Sequence, residues 1–143
     1  MSDINIINQF VDAARNGDEN TVRSLLLTSK ININDTNKYG YTALMSAANS
    51  NRESIVSFLI AKGADINIKN NDGCTALMFA AIFNNDSMVS LLIDKGADIN
   101  IKNNDGNTAL IYAARENHEG IVSLLIDKGA DINMKRNVSI IAF

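Results

Sequence analysis

Apolar residues recur along this chain in two alternating rhythms. In "TALMFAAIF" (Thr75–Phe83) they fall at helical spacing, and the small residues Ala80 and Ala81 stand where two helices would approach closely. In "DSMVSLLID" (Asp86–Asp94) Met88, Val89, Leu91, Leu92 and Ile93 form a broad apolar stripe, which predicts a second amphipathic helix. Thr75 precedes the first helix, so its hydroxyl is expected to accept from a free amide of the first turn. Lys95 and Gly96 close the second, because glycine takes the left-handed conformation that ends a helix. The "ADINIKNNDG" that follows starts by alternating and finishes rich in turn residues, which predicts an extended finger folding back toward the next threonine.

The whole pattern returns every 33 residues. "VSLLIDKGADIN" at Val89–Asn100 is repeated letter for letter at Val122–Asn133, with a close copy, "VSFLIAKGADIN", at Val56–Asn67. Three full units follow from this, at 37–69, 70–102 and 103–135, preceded by a degenerate unit at 1–36 and followed by residues 136–143. A single unit cannot bury its own apolar stripe, whereas stacked neighbours can. The chain 1–143 is therefore expected to be one all-α solenoid whose contacts join adjacent units. In "SDINIINQFVDAARNG", Asp3, Asn5, Asn8, Gln9 and Asp12 are placed to face water while Ile7, Phe10, Val11 and Ala14 face inward, so the first unit reads as an N-terminal cap. At the other end, "RNVSIIAF" (Arg136–Phe143) begins a further unit but has Ile141 where the capping Thr should stand. The second helix of the last unit, with Ile121, Leu124 and Leu125, then lacks a polar cover. Three explanations stay open: the tail folds over that end, the chain continues as a longer array, or two copies associate there.

"DGCTALMFAA" and "LLIDKGADIN", at this period and in this order, resemble the ankyrin repeat pattern G-x-T-x-L-x-x-A-A followed by L-L-x-x-G-A-D-x-N. The resemblance covers residues 1–135 and implies helix-turn-helix units joined by β-hairpin fingers. One departure is that the family's T-P-L-H box appears as "TALM" or "TALI", which implies a softer junction between finger and helix. It also implies a partner surface on the concave side, made of finger tips and the exposed side of the first helix. Carried over residue by residue, the finger positions are Lys38, Tyr39 and Tyr41, then Asn71, Asp72 and Cys74, then Asn104, Asp105 and Asn107. The helix positions are Asn49 and Ser50, Ile82 and Phe83, and Arg115 and Glu116; Lys69 and Lys102 close their units. Two tyrosines on one finger and an Ile–Phe pair on the next unit's helix stand where solvent is the default neighbour. They suggest an apolar centre ringed by Lys38, Lys69, Asp72 and Arg115.

Charge and composition narrow the remaining choices. The formal net charge is −3, and no unit departs from neutrality by more than two charges, so no basic footprint for nucleic acid is present. The N-terminus lacks a signal-peptide pattern and no apolar run suits a membrane span, so an intracellular, cytoplasmic protein is expected. The one cysteine, Cys74, rules out an internal disulfide. "DINIKNNDG" looks like a calcium loop, but counted from Asp98 its fifth position is Lys102, its sixth is Asn103 in place of Gly, and its twelfth is Ala109 in place of Glu. Asp98 and Asn100 are better read as finger residues that accept from nearby backbone amides. His118, the single histidine, belongs to a loop at the opposite edge of the unit after Cys74, so a nucleophile–base pair is not expected. The expectation is a non-catalytic module, without metal or cofactor, that binds another protein and not nucleic acid or membrane. Alternatives are a metal- or small-molecule-responsive regulator, a host-directed effector, or a fragment of a larger ankyrin-containing protein.

Overall fold

A computed structural model describes residues 3–133. Eight helices are formed among them, in four consecutive pairs: α1 (Ile4–Asn16) with α2 (Glu19–Thr28), α3 (Ala43–Asn49) with α4 (Glu53–Ala61), α5 (Ala76–Ile82) with α6 (Asp86–Asp94), and α7 (Ala109–Arg115) with α8 (Glu119–Asp127). The first helix of each full unit has 7 residues and the second has 9. Helices this short are not stable in water alone, so tertiary burial must supply their stability. That burial comes from stacking: α1, α3, α5 and α7 form one layer, each packed on the next, and each carries its pair partner on its outer side.

Local sequence sets where the helices begin and end. The hydroxyls of Thr42 and Thr108 accept from the amides of Met45 and Ile111, at 3.1 and 3.3 Å. Thr75 occupies the same position but makes no side-chain cap bond, contrary to the sequence expectation. Its helix also starts less tightly: the Phe79 amide lies 3.4 Å from the Thr75 carbonyl, against 3.1 Å for the equivalent bonds at Thr42 and Thr108. Two residues after the first helices of the full units stand Asn51, Asn84 and Asn117, all left-handed at φ 57–64°, a conformation asparagine tolerates better than most residues. The second helices of the full units end at Lys62, Lys95 and Lys128. Gly96 follows with φ 99°, and the Ala97 amide then closes on the Leu92 carbonyl at 3.0 Å.

One apolar core runs through the stack. The first helices bury Ala47, Ala48, Ala80 and Ala81 completely, which lets neighbouring helices lie close together. On α6 the buried residues are Met88, Val89 and Leu92, while Leu91 and Ile93 are half-buried, so the core stripe is narrower than the sequence pattern suggests. The same three positions are buried on α4, as Ile55, Val56 and Leu59, and on α8, as Ile121, Val122 and Leu125. On α1, Phe10, Val11 and Ala14 are fully buried, Ile7 is half-buried, and Asp3, Asn5, Asn8, Gln9 and Asp12 are exposed.

The fingers are turns and not β-hairpins: no strand occurs among the described residues. Each closes through one asparagine. The Asn37 amide donates to the Tyr41 carbonyl at 3.0 Å, but the returning Tyr41 amide donates to the Asn37 side-chain oxygen at 3.1 Å. Asn70 with Cys74 and Asn103 with Asn107 repeat this arrangement. A side-chain acceptor thus replaces the backbone acceptor that a β ladder would use, and the pairing goes no further. Adjacent fingers are joined edge to edge. Asn71 donates its amide N–H to the Tyr39 carbonyl at 3.1 Å and its side-chain N–H to the Lys38 carbonyl at 2.9 Å, and Asn104 does the same to Asp72 and Asn71.

Candidate partner-binding face

The fingers and the first helices share one face. Tyr39, at the tip of the first finger, is 59 % exposed, and the Lys38 ammonium lies 5.0 Å from its ring centre. Phe83, immediately after α5, is 57 % exposed. Ile82 beside it is half-buried, and its carbonyl lies 2.9 Å from Nε2 of His118. Lys69, Asp72, Lys102, Asp105, Arg115 and Glu116 are exposed, whereas Asn49 and Ser50 are half-buried. Asn71 and Asn104 are exposed too, although their side-chain amides already stitch neighbouring fingers together.

Three further expected contact positions do structural work as well. Tyr41 is half-buried and stacks on Phe79 of the next unit, with ring centres 5.4 Å apart and an interplanar angle of 27°. Burial pushes its phenol above the usual tyrosine range, partly offset by a hydrogen bond with Asn70. Cys74 and Asn107, at the equivalent finger position, are buried. The Cys74 sulfur lies 3.5 Å from Nδ2 of Asn103, which also donates to the Tyr112 hydroxyl at 2.6 Å, and Asn107 accepts from Arg115 at 3.2 Å. This finger position therefore packs between units, and in the last two fingers it leaves no surface for a partner.

Sequence reasoning missed a recess of about 360 Å³ between α1 and the first finger, lined by Ile4, Asn8, Asp12, Arg15, Asn37, Lys38 and Tyr39. Ile4 is 64 % exposed at its rim. The signal was available: with the first unit's offset of 34, Ile4 is the counterpart of Lys38, an apolar residue where the next unit has a charged one. Arg15 on its wall donates to Asp12 at 2.8 Å. On the neighbouring helix the oxygens Ser46 Oγ and Asn49 Oδ1 are buried without a hydrogen-bond partner.

The oxygens that resembled a calcium site have other partners. Asp98 accepts from the Asn100 amide at 3.1 Å, and the Asn100 side-chain oxygen accepts from the Asp131 amide of the next unit at 2.8 Å. Asn34 to Asp65 and Asn67 to Asp98 are the earlier rungs of this ladder, at 2.9 and 2.8 Å. Among the described residues no group of three or more His, Cys, Asp or Glu side chains could hold a metal ion. His118, at the start of α8, makes no capping bond but reaches back to the preceding unit through Ile82. Arg52, its counterpart, does likewise, donating from Nε to the Arg15 carbonyl at 3.1 Å.

At the C-terminal end Ile121 and Leu125 are buried, Leu124 is half-buried, and Ile126 and Ile132 are the exposed apolar side chains. Of the three explanations open for this end, the one in which the tail folds over it falls on residues 136–143, which lie outside the described residues. No helix among the described residues is long and apolar enough to cross a membrane.

Paired short helices, stacked in register and joined by stitched fingers, define an all-α repeat solenoid. Its sequence matches the family profile for ankyrin repeats (3 copies) over residues 10–70 and 63–136, and the chain belongs to the ankyrin repeat family. Ankyrin repeats are generally protein–protein interaction modules, and their fold is typically non-catalytic. A search among curated proteins found no match.

Proposed function

We propose that this chain is a non-catalytic module that binds another protein through the face shared by its fingers and first helices. The carrying observation is the exposure of the aromatic side chains Tyr39 and Phe83, at 59 % and 57 %, on that face, with Ile4 of α1 exposed in the recess beside Tyr39. Exposed aromatic side chains rimmed by charge are what protein interfaces use as anchors, and here Lys38, Lys69, Asp72 and Arg115 supply the charge. Tyr41 supports the site from below through its stack on Phe79, while Cys74 and Asn107 act in packing.

The test is affinity capture with mass spectrometry, comparing the native chain with the Tyr39→Ala/Phe83→Ala double variant, followed by calorimetry on the recovered partner. Each single substitution is expected to weaken binding by about 1–2 kcal/mol or more. Equal affinity for native chain and double variant would sink the proposal. The metal-responsive reading has less support, because Asp98 and Asn100 are engaged by backbone amides; calcium titration yielding heat above dilution would revive it.

A further inference from the structure

A second groove lies on the opposite layer, among the second helices. It encloses about 390 Å³ and is lined by Arg23, Leu26 and Leu27 of α2, Ile31 and Ile33 after it, and Phe58 and Lys62 at the end of α4. None of these residues belongs to a first helix or a finger tip, so the groove is separate from the face described above and does not rest on that reading.

Its composition is unusual against the chain's own repeats. Where the groove has Arg23, the other units have Ser57, Ser90 and Ser123. Leu27 stands in place of Ala61, Asp94 and Asp127, Ile31 in place of Ala64, Ala97 and Ala130, and Phe58 in place of Leu91 and Leu124. Each replacement enlarges the side chain, and all four meet in this one place. The framework does not require them, since the later units form the same helices without them. Leu27 is 85 % exposed, where two of its counterparts are aspartates.

The groove also has a sign. The Arg23 guanidinium lies 4.1 Å from the Phe58 ring centre and the Lys62 ammonium 5.8 Å, so both cations border the aromatic floor. Arg23 is held in place by Glu19 at 2.8 Å, which engages one of its five N–H groups. An apolar floor between two cations complements an apolar side chain with a carboxylate next to it. The volume falls within the roughly 300–1,000 Å³ typical of ligand pockets.

We propose that this groove is a second docking site, for a partner segment that places a large aliphatic or aromatic residue against Leu27 and Phe58 and an adjacent Asp or Glu against Arg23 and Lys62.

A randomised peptide library panned in parallel on the full chain and on the Arg23→Ser/Leu27→Asp/Phe58→Leu variant tests it. The variant carries residues the sister units already accommodate, and far-UV circular dichroism checks its fold. Peptides enriched on the native chain and absent from the variant are expected to pair an aliphatic or aromatic residue with an acid. A synthetic copy should lose about tenfold or more in affinity on Leu27→Asp alone, where an exposed side chain leaves the core untouched, and should weaken as salt is raised. Failure of any peptide to discriminate the two proteins overturns the proposal, as does enrichment of peptides lacking an acid. Leu27-dependent dimerisation in sedimentation would overturn it in favour of a second copy of the chain.

Discussion

Thr42, Thr75 and Thr108 occupy one position in three successive units, yet Thr42 and Thr108 cap their helices and Thr75 does not. Substitution by alanine at Thr42 or Thr108 should therefore cost about 0.5–2 kcal/mol in urea unfolding, and distinctly less at Thr75. A result in which all three cost the same would show that the hydroxyl acts through something other than the cap. Tyr41 has a sharper signature, in pH. Burial raises its folded value above the ordinary 10.0, so between the two values the folded chain holds a proton that the unfolded chain has lost. The stability linked to the neutral phenol is intact below the ordinary value and is lost as pH climbs through the folded one. Phenolate absorbance should accordingly show a late step that Tyr41→Phe removes.

The finger is the element where sequence and structure part furthest. Its turn residues were legible in "NNDG", but its closure depends on a side-chain oxygen of Asn37, Asn70 or Asn103 standing in for a backbone carbonyl. Nothing in the local string says which acceptor wins. The glycines show the same division between local and neighbouring causes. Gly40 has φ 83°, and a Cβ added there would meet the Asn71 amide nitrogen of the next finger at 2.6 Å; at Gly63, φ is 94° and the space is open. Gly63→Ala should cost about 1–2 kcal/mol for the left-handed conformation alone, and Gly40→Ala clearly more, because the finger stack must also move apart. Paired denaturant melts would measure the difference, and equal costs would mean the finger stack does not resist being moved apart at Gly40.

At the scale of the whole molecule, stability is shared between neighbours. The first helices form a continuous layer, while the second helices pack chiefly on their own partners. Leu92, fully buried on α6, has units on both sides, and Leu92→Ala should cost about 2–5 kcal/mol in chemical denaturation. Native-state amide exchange should be slowest across α3 and α5, which have a first helix on either side, and faster across α1 and α7, which have one neighbour each among the described residues. Uniform protection would indicate a cooperative unit larger than nearest-neighbour packing provides. The two candidate surfaces also belong to this scale, because each is assembled from at least two units: Tyr39 and Phe83 on the finger side, Leu27 and Phe58 on the other.

The 33-residue period, the small residues of the first helices and the glycines that end the second were enough to determine a stacked all-α solenoid, because each follows from local backbone chemistry or from a stripe that must find a neighbour. The sequence also identified which positions vary between near-identical units. It did not determine which of those face solvent. Tyr41 and Cys74 sit at one repeat position, and both turned out to pack between units, since a residue's exposure depends on what the next unit places beside it. Arg23, Leu27, Ile31 and Phe58 are scattered over two units in the chain, and stacking alone brings them to one groove. Local rules act over a few residues, and so fix the helices; surfaces are made where distant residues meet, and that is decided by the fold.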